Sequence, residues 1–335
     1  MRFDLLIGAL VFCAVAAVPF LMPWASVMIT LALGVGLAVL GVVVLLRAGQ
    51  ISFGHGLYYA AGAYTVAFLV QARLGLDILL LLPLAAIVAA AIAFVFGFFA
   101  VRYRDIFFAM INLAVSMVAF SLLEKLYHIT GGGDGLNVAR PTLAGFRMGR
   151  VDFEFWMFYA TLALVTVVAL MVARYLSSPL GKGLEAIKSN ETRLEYLGVS
   201  SNRMLHIAYA LSAALAGLGG GVIAIVTGHV APEFAYWVRS GEFVFIAILG
   251  GAGNVVGAFV GSIVYEIIRN YAAAFAASYW QTMLGFSLIA IIMFAPDGLT
   301  QLRFGKKNEA RAKEASKKST SENGITGKAV QEGTR

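Results

Sequence analysis

The sequence predicts an all-α integral membrane protein with about ten transmembrane helices, and two observations predict it. Hydrophobic residues make up 60% of the 335 positions and charged residues only 13%, with a mean hydropathy of +0.85. A soluble domain carries about a quarter charged residues, so half that load leaves too little polar surface to face water. Apolar runs of about 20 residues also recur along the chain, the length a helix needs to cross roughly 30 Å of hydrocarbon.

Taken in order, the apolar runs place helices near 5–22, 25–46, 51–71, 77–100, 106–127, 154–174 and 204–227, then near 238–252, 254–275 and 279–296. Met1-Arg2-Phe3-Asp4 before Leu5–Met22 is superficially like a signal peptide. The run is longer than a typical signal core and leads straight into another span, so a retained first helix is expected. Arg102 and Arg104 fall between the fourth and fifth spans, and Arg174, Lys182, Lys188, Arg193 and Arg203 between the sixth and seventh. Both groups are cytoplasmic if the N-terminus is. Arg140, Arg147 and Arg150 in the outer loop 128–153 run against this, partly offset by Asp134 and Asp152.

From Leu299 to Arg335 nine Lys/Arg face four Glu, which accounts for most of the net charge of +7. Such an excess after the last span marks a cytoplasmic end and is no nucleic-acid signal here. Residues 1–300 then form a polytopic domain, and 301–335 a basic tail whose composition predicts disorder. Parity follows: loop 228–240 outside and the tail inside need an odd number of crossings between them. The Gly-rich run 241–275 must therefore hold two crossings, broken near Gly250-Gly251-Ala252-Gly253-Asn254, with a re-entrant eighth segment as the alternative.

Packing is legible in the glycines. Gly253, Gly257 and Gly261 make one small-xxx-small ridge, and Gly217 with Gly221 another. Such ridges let helix backbones approach closely, and packing within the subunit is the favoured reading over a dimer contact. Ionisable groups are sparse at midspan, Glu124, Lys125, Glu266 and Arg269 being assigned to span ends. Carriers coupled to protons or sodium generally need such groups inside the bilayer, so the drive is expected from outside it. His55 is the exception. It reads either as a pH switch or as a hydrogen-bonded packing residue, the latter favoured, with Gln50 and Ser52 as caps of its helix. Cys13 is alone, and His128, His206 and His229 lack metal-ligand spacing, so no metal site is expected.

The substantial internal soluble stretch, within 177–203, runs from Ser177 to Gly198. Serine before proline starts a helix well and Gly198 can end one. Leu184, Ile187, Leu194 and Leu197 are expected on one face, with charges on the other. A short amphipathic helix of this kind lies on the lipid interface or docks in a partner's groove; composition leaves both open.

The stretch resembles the cytoplasmic coupling loop of ABC-importer permeases, in the form used by the branched-chain amino acid permease family (LivM/LivH-like). That pattern is close to S-P-x-G-x-x-x-x-A-I-x-x-N-E-x-x-A-x-x-L-G. Ser178, Pro179, Gly181, Ala186, Ile187, Asn190, Glu191, Leu197 and Gly198 match it. Further family-like stretches are Gly49–Gly56 with Gly62-Ala63-Tyr64, Phe108-Ala109-Met110, Thr130-Gly131-Gly132 with Gly135-Leu136, Ser212-Ala213 with Ala216-Gly217-Leu218, Gly250-Gly251-x-Gly253, and Ala295-Pro296-x-Gly298-Leu299. They extend the match over roughly 45 to 300, and the Thr-Gly-Gly-x-x-Gly-Leu run is the more LivM-like. Leu194 stands where the family often has alanine, and His206 where it often has lysine.

The resemblance implies a type II ABC importer permease fold in the cell inner membrane. It implies a homologous second permease (LivH-like), two cytoplasmic ATP-binding subunits and a periplasmic solute-binding protein. No cofactor is expected on this chain. Gly181-Lys182 is followed by Gly183 where a phosphate-binding loop needs Ser or Thr, so ATP and Mg belong to the partner ATPases. Branched-chain amino acids are the expected cargo, with urea, short amides or aromatic acids as alternatives. Ser52, Phe53, His55, Tyr58, Tyr59 and Asn112 are candidates for lining a translocation cavity. Helix 182–197, Leu184 included, is expected to act as a rigid knob. The rival classes are a stand-alone secondary carrier or channel, and an integral-membrane enzyme, for which no paired carboxylates or catalytic Ser/His/Asp set is present.

Overall fold

The structure, a computed structural model, describes residues 15–275 apart from 147 and 252, together with 282, 285, 286, 289 and 293. The expected spans 5–22 and 279–296 lie largely outside the described residues, and the tail 301–335 lies wholly outside them.

The chain is helical almost throughout. In order come α1 (Val18–Leu21), α2 (Ala25–Arg47), α3 (His55–Gln71), α4 (Ile78–Ala100), α5 (Asp105–Lys125), α6 (Tyr127–Thr130), α7 (Arg150–Ser177), α8 (Pro179–Tyr196), α9 (Ser201–Thr227), α10 (Trp237–Gly250) and α11 (Val255–Phe275). Two-residue strands β1 (Leu136–Asn137) and β2 (His229–Val230) pair antiparallel and clip two loops together at one end. Five helices among the described residues, α2, α4, α5, α7 and α9, are long and apolar enough to cross a membrane. The broken pair α10–α11 makes a sixth if counted as one span. Eight crossings were expected between residues 25 and 275, and α3, α10 and α11 are the helices that do not qualify singly.

Helices α2 and α9 form the centre, with α3 and α4 against α9 and α11 against α2. Backbone meets backbone along these contacts. A Cβ on Gly62 of α3 would lie 2.6 Å from the carbonyl carbon of Gly217, and one on Gly220 would lie 2.8 Å from that of Tyr59. Only glycine permits such an approach, which replaces the hydrophobic drive that helices lack against lipid. Gly217 and Gly221 both face α4, through Ala85, so this ridge serves packing within the subunit. Outside this centre, α4, α5 and α7 turn Ile87, Val95, Ile106, Phe107 and Leu170 outward, as a lipid-facing surface requires.

The second ridge is shorter than expected. Gly253 sits in the turn before α11, and Gly257 and Gly261 instead meet Gly250, with 2.6 Å from a Gly257 Cβ to the Gly250 carbonyl oxygen. The expected break at 250–254 is present, and α10 turns through 114° into α11. At 14 residues, α10 is about 21 Å long, too short for the hydrocarbon core. The pair α10–α11 is therefore a broken span or a re-entrant segment rather than two full crossings.

Candidate functional site

Two irregular segments enter the bundle to mid-depth and meet there. The third span was expected from residue 51, but α3 begins only at His55, with Gly54 as its N-cap. His55 Nε2 bonds Ser212 Oγ, which lies 11 residues, about 16 Å, along α9. From the opposite end, the segment 231–236 descends until Ser116 Oγ, midway along α5, donates to the carbonyl of Ala235 (2.8 Å). The Gly56 N–H then donates to Ser240 Oγ at 2.8 Å, tying the start of α10 to the start of α3. Backbone without α-helical bonding, irregular in 50–54 and a short 3-10 turn at Pro232–Ala235, is tolerated at this depth only inside protein or beside water.

The expected capping roles differ accordingly. Ser52 Oγ accepts from the Gly54 N–H (3.3 Å), ahead of the helix rather than on it. Gln50 Oε1 accepts from the Asp105 N–H (3.0 Å) and so caps α5 instead of α3. The helix starts late because the chain turns through left-handed Gly49 (φ +74) after α2, is irregular over 50–52 and turns again at 53–54.

Around this meeting point Ser52, His55, Tyr58, Tyr59 and Asn112 are all buried, and Phe53 half-buried against Gly241. Their polar atoms form a chain: the Tyr58 hydroxyl meets that of Tyr209, Tyr209 donates to Asn112 Oδ1, and Asn112 Nδ2 donates to the Phe108 carbonyl (2.8 Å). Of the six residues expected to line a cavity, Tyr58 and Asn112 sit in this chain of bonds and His55 bonds Ser212, while the buried Tyr59 hydroxyl takes no part in either. A cavity of about 1030 Å³ lies elsewhere, at the end of the bundle carrying Arg73, Arg140 and Arg150. Tyr209 and Ser212 belong to the network and were not anticipated; a tyrosine and a serine three apart on an otherwise apolar helix were the available signal.

Charge at mid-depth is the larger correction. Arg239, in the first turn of α10, bonds Glu242 (2.7 Å), and the rings of Tyr59, Phe234 and Phe243 lie within 6.0 Å of its guanidinium. Glu266, placed at a span end from sequence, is the twelfth residue of the 21 in α11 and is buried, with Arg269 at 3.4 Å. Both carboxylates are matched by an arginine three residues away on the same helix, so the pairs are neutral. Hydropathy could not reveal this because it took 228–240 as a surface loop.

The polar segment forms α8, packed on the end of the bundle where α2 and α4 finish. Ser178 Oγ accepts from the Gly181 N–H (3.4 Å), and Pro179 occupies the first turn. Gly181 is pressed against the end of α7, where a Cβ would lie 2.5 Å from the Tyr175 carbonyl oxygen. Leu184, Ile187 and Leu194 are buried and Ala186 half-buried. Leu197, expected on the same face, is 75% exposed; it stands past the last helical residue, Tyr196, as the C-cap.

The segment is not one rigid helix over 182–197. Asn190 is extended (φ −165°, ψ 96°) and divides it in two. Its Oδ1 accepts from the Arg193 N–H (2.9 Å), so Asn190 caps the second piece, the role asparagine fills best. Left-handed Gly198 (φ +80) closes that piece, its N–H donating to the Glu195 carbonyl (2.9 Å).

Two ion pairs hold the segment to the bundle. Arg47 at the end of α2 pairs with Glu185. Arg104, just before α5, grips Glu191 in a two-pronged contact (2.6 and 3.0 Å) and also reaches Asn202 Oδ1 (2.7 Å). The hydrogen bond from Arg104 holds the Glu191 carboxyl below its usual range, against the opposing effect of burial. Facing away from the bundle, Leu180, Tyr196, Leu197 and Val199 are exposed. Nearby, His206 stacks edge-on between Phe94 and Phe98, both ring centroids at 4.7 Å.

Comparison with known proteins gives these features a family. The chain is 31% identical to the high-affinity branched-chain amino acid transport system permease protein LivM of Escherichia coli, covering 81% of this chain and 68% of that protein. It is 25% identical to the corresponding LivH of Salmonella typhimurium, over 75% of this chain and 85% of that one. BraD of Pseudomonas aeruginosa, a permease of the same description, is 24% identical over 75% of this chain and 86% of its own. No solved structure gives a significant match. The family described as branched-chain amino acid transport system / permease component matches residues 24–293, and this chain, a multi-pass membrane permease, belongs to it.

Proposed function

We propose that the chain is the LivM-like permease subunit of an ATP-driven importer in the inner membrane, moving branched-chain amino acids. It pairs with a LivH-like permease, receives its substrate from a periplasmic binding protein, and is driven by two cytoplasmic ATPases that hold the ATP and Mg. Both ends of the chain are cytoplasmic in this reading, as is the face carrying α8. The similarity to both LivM and LivH supports a pair of related permeases.

The observation that carries the reading is α8 itself. Ion pairs fasten it to the ends of α2 and α5, yet it turns Leu180, Tyr196, Leu197 and Val199 outward. Exposed apolar side chains on a segment so fastened fit a groove in a partner. ATPase closure pushes on this face, and the Arg47 and Arg104 contacts pass the displacement to α2 and α5. Glu242 and Glu266 are each matched by an arginine on the same helix, which agrees with an external drive.

The test is ATP-dependent leucine uptake in proteoliposomes holding both permeases and the ATPases, with binding protein added. Tyr196→Glu with Leu197→Glu is expected to cut ATPase association and uptake at least tenfold while the permease stays folded. Leucine accumulated by this chain alone, without ATPases, would overturn the proposal.

A further inference from the structure

We propose that the 1030 Å³ cavity at the end of the bundle opposite α8 is a binding site for one anionic phospholipid. The cavity lies between the last turns of α3 and α9 and the first turns of α2, α4 and α7, under the segment 138–142. Thr30, Leu81 and Met157, all buried, line its inner wall. Leu69, Leu81, Phe153 and Met157 supply apolar surface beside the polar groups, and the cations on the lining, its charged rim, are Arg73, Arg140 and Arg150.

The rim is not neutralised. Arg150 pairs with Glu154 (2.9 Å), but Arg73 and Arg140 have no ion pair among the described residues. Two open guanidiniums match a phosphate, which they hold by paired hydrogen bonds. Their depth is also right. They stand where helices end, the level of lipid headgroups, while the walls beneath descend toward the hydrocarbon.

Size and charge select lipid over smaller anions. The volume is at the top of the roughly 300–1,000 Å³ range of pockets for drug-sized ligands, far beyond one amino acid. A zwitterionic amino acid also needs an anion for its ammonium group, and Glu154, the single carboxylate among the described lining residues, is already engaged by Arg150. An acidic side chain of a protein partner would satisfy the rim and leave the apolar wall unfilled. Helix α7 packs along α2 rather than along α3 or α4, and it is between α7 and these two helices that the acyl chain is proposed to enter from the bilayer.

The test is native mass spectrometry and thermal melting of the full, delipidated chain. The probes are dioleoylphosphatidylglycerol, dioleoylphosphatidylcholine, glycerol phosphate and L-leucine. One phosphatidylglycerol is expected to be retained per chain and to raise the melting temperature at about tenfold lower concentration than phosphatidylcholine. Arg73→Gln with Arg140→Gln removes that tenfold preference without lowering the lipid-free melting temperature, because both side chains are exposed. Four results would each overturn the proposal: equal retention of phosphatidylcholine, an unchanged preference in the double variant, stabilisation by glycerol phosphate alone, or stabilisation by leucine. A double variant that loses binding-protein docking yet keeps its lipid preference would assign the rim to that protein instead. No arm depends on transport, so the importer reading stands or falls separately.

Discussion

Asn190→Ala is the sharpest test of how α8 is built. In the wild type the extended Asn190 divides the segment and its side chain caps the second piece. Alanine removes the cap, at about 1 kcal/mol, and favours a continuous helix over asparagine by up to about 0.7 kcal/mol. Together these shift the balance from bent to straight by about 1.7 kcal/mol, or more than tenfold. The Arg104–Glu191 contact opposes straightening, but its side chains are 21% and 31% exposed, and a pair so wetted supplies at most about 1 kcal/mol. Spin labels at Lys182 and Tyr196, both exposed, read the outcome by pulsed electron resonance. A straight helix separates these backbone positions by about 21 Å, and the bent form by less. The variant is expected to gain a population at the longer distance. If wild type and variant share one distance distribution, Asn190 does not hold the bend.

Gly220→Ala drives a Cβ into the backbone of Tyr59, which cannot swing aside. It should cost about 1–3 kcal/mol in detergent melts, whereas Gly133→Ala, with nothing within 4 Å, should be nearly neutral; equal melts would refute the seam. Because the Glu191 carboxyl is held below its usual range, its contribution to stability is fully present above the unfolded value of about 4.3. It is lost only as pH falls through the lower folded value. Melting between pH 7 and 3 should therefore show a low-pH loss that Glu191→Gln lacks, and parallel curves for the two would contradict the assignment.

What could be read from sequence followed from local rules. Apolar runs located α2, α4, α5, α7 and α9 to within a few residues, and Ser178-Pro179 and Gly198 marked both ends of α8. The glycine spacing found Gly217 and Gly221. The failures share one cause, since hydropathy assigns depth by counting along the chain. A chain that dives inward at 231–236, or resumes its helix late at His55, moves Arg239 and the Tyr58–Tyr209–Asn112 network to depths no window reports. Asn190 was legible as a family residue but not as a bend, because asparagine is tolerated inside helices as well as at their starts.

The glycine contacts among α2, α3 and α9 have a mechanical consequence. Gly41 lies on the Ser212 carbonyl, Gly34 and Ala38 on Gly219, and Tyr59 on Gly220, so these helices mesh like toothed racks, with no cushion of rotamers between them. Shifting one by a single residue, about 1.5 Å, would push carbonyl oxygens against neighbouring methyl groups all along its length. The trio therefore moves as one rigid body, and a displacement applied to the end of α2 carries α3 and α9 with it.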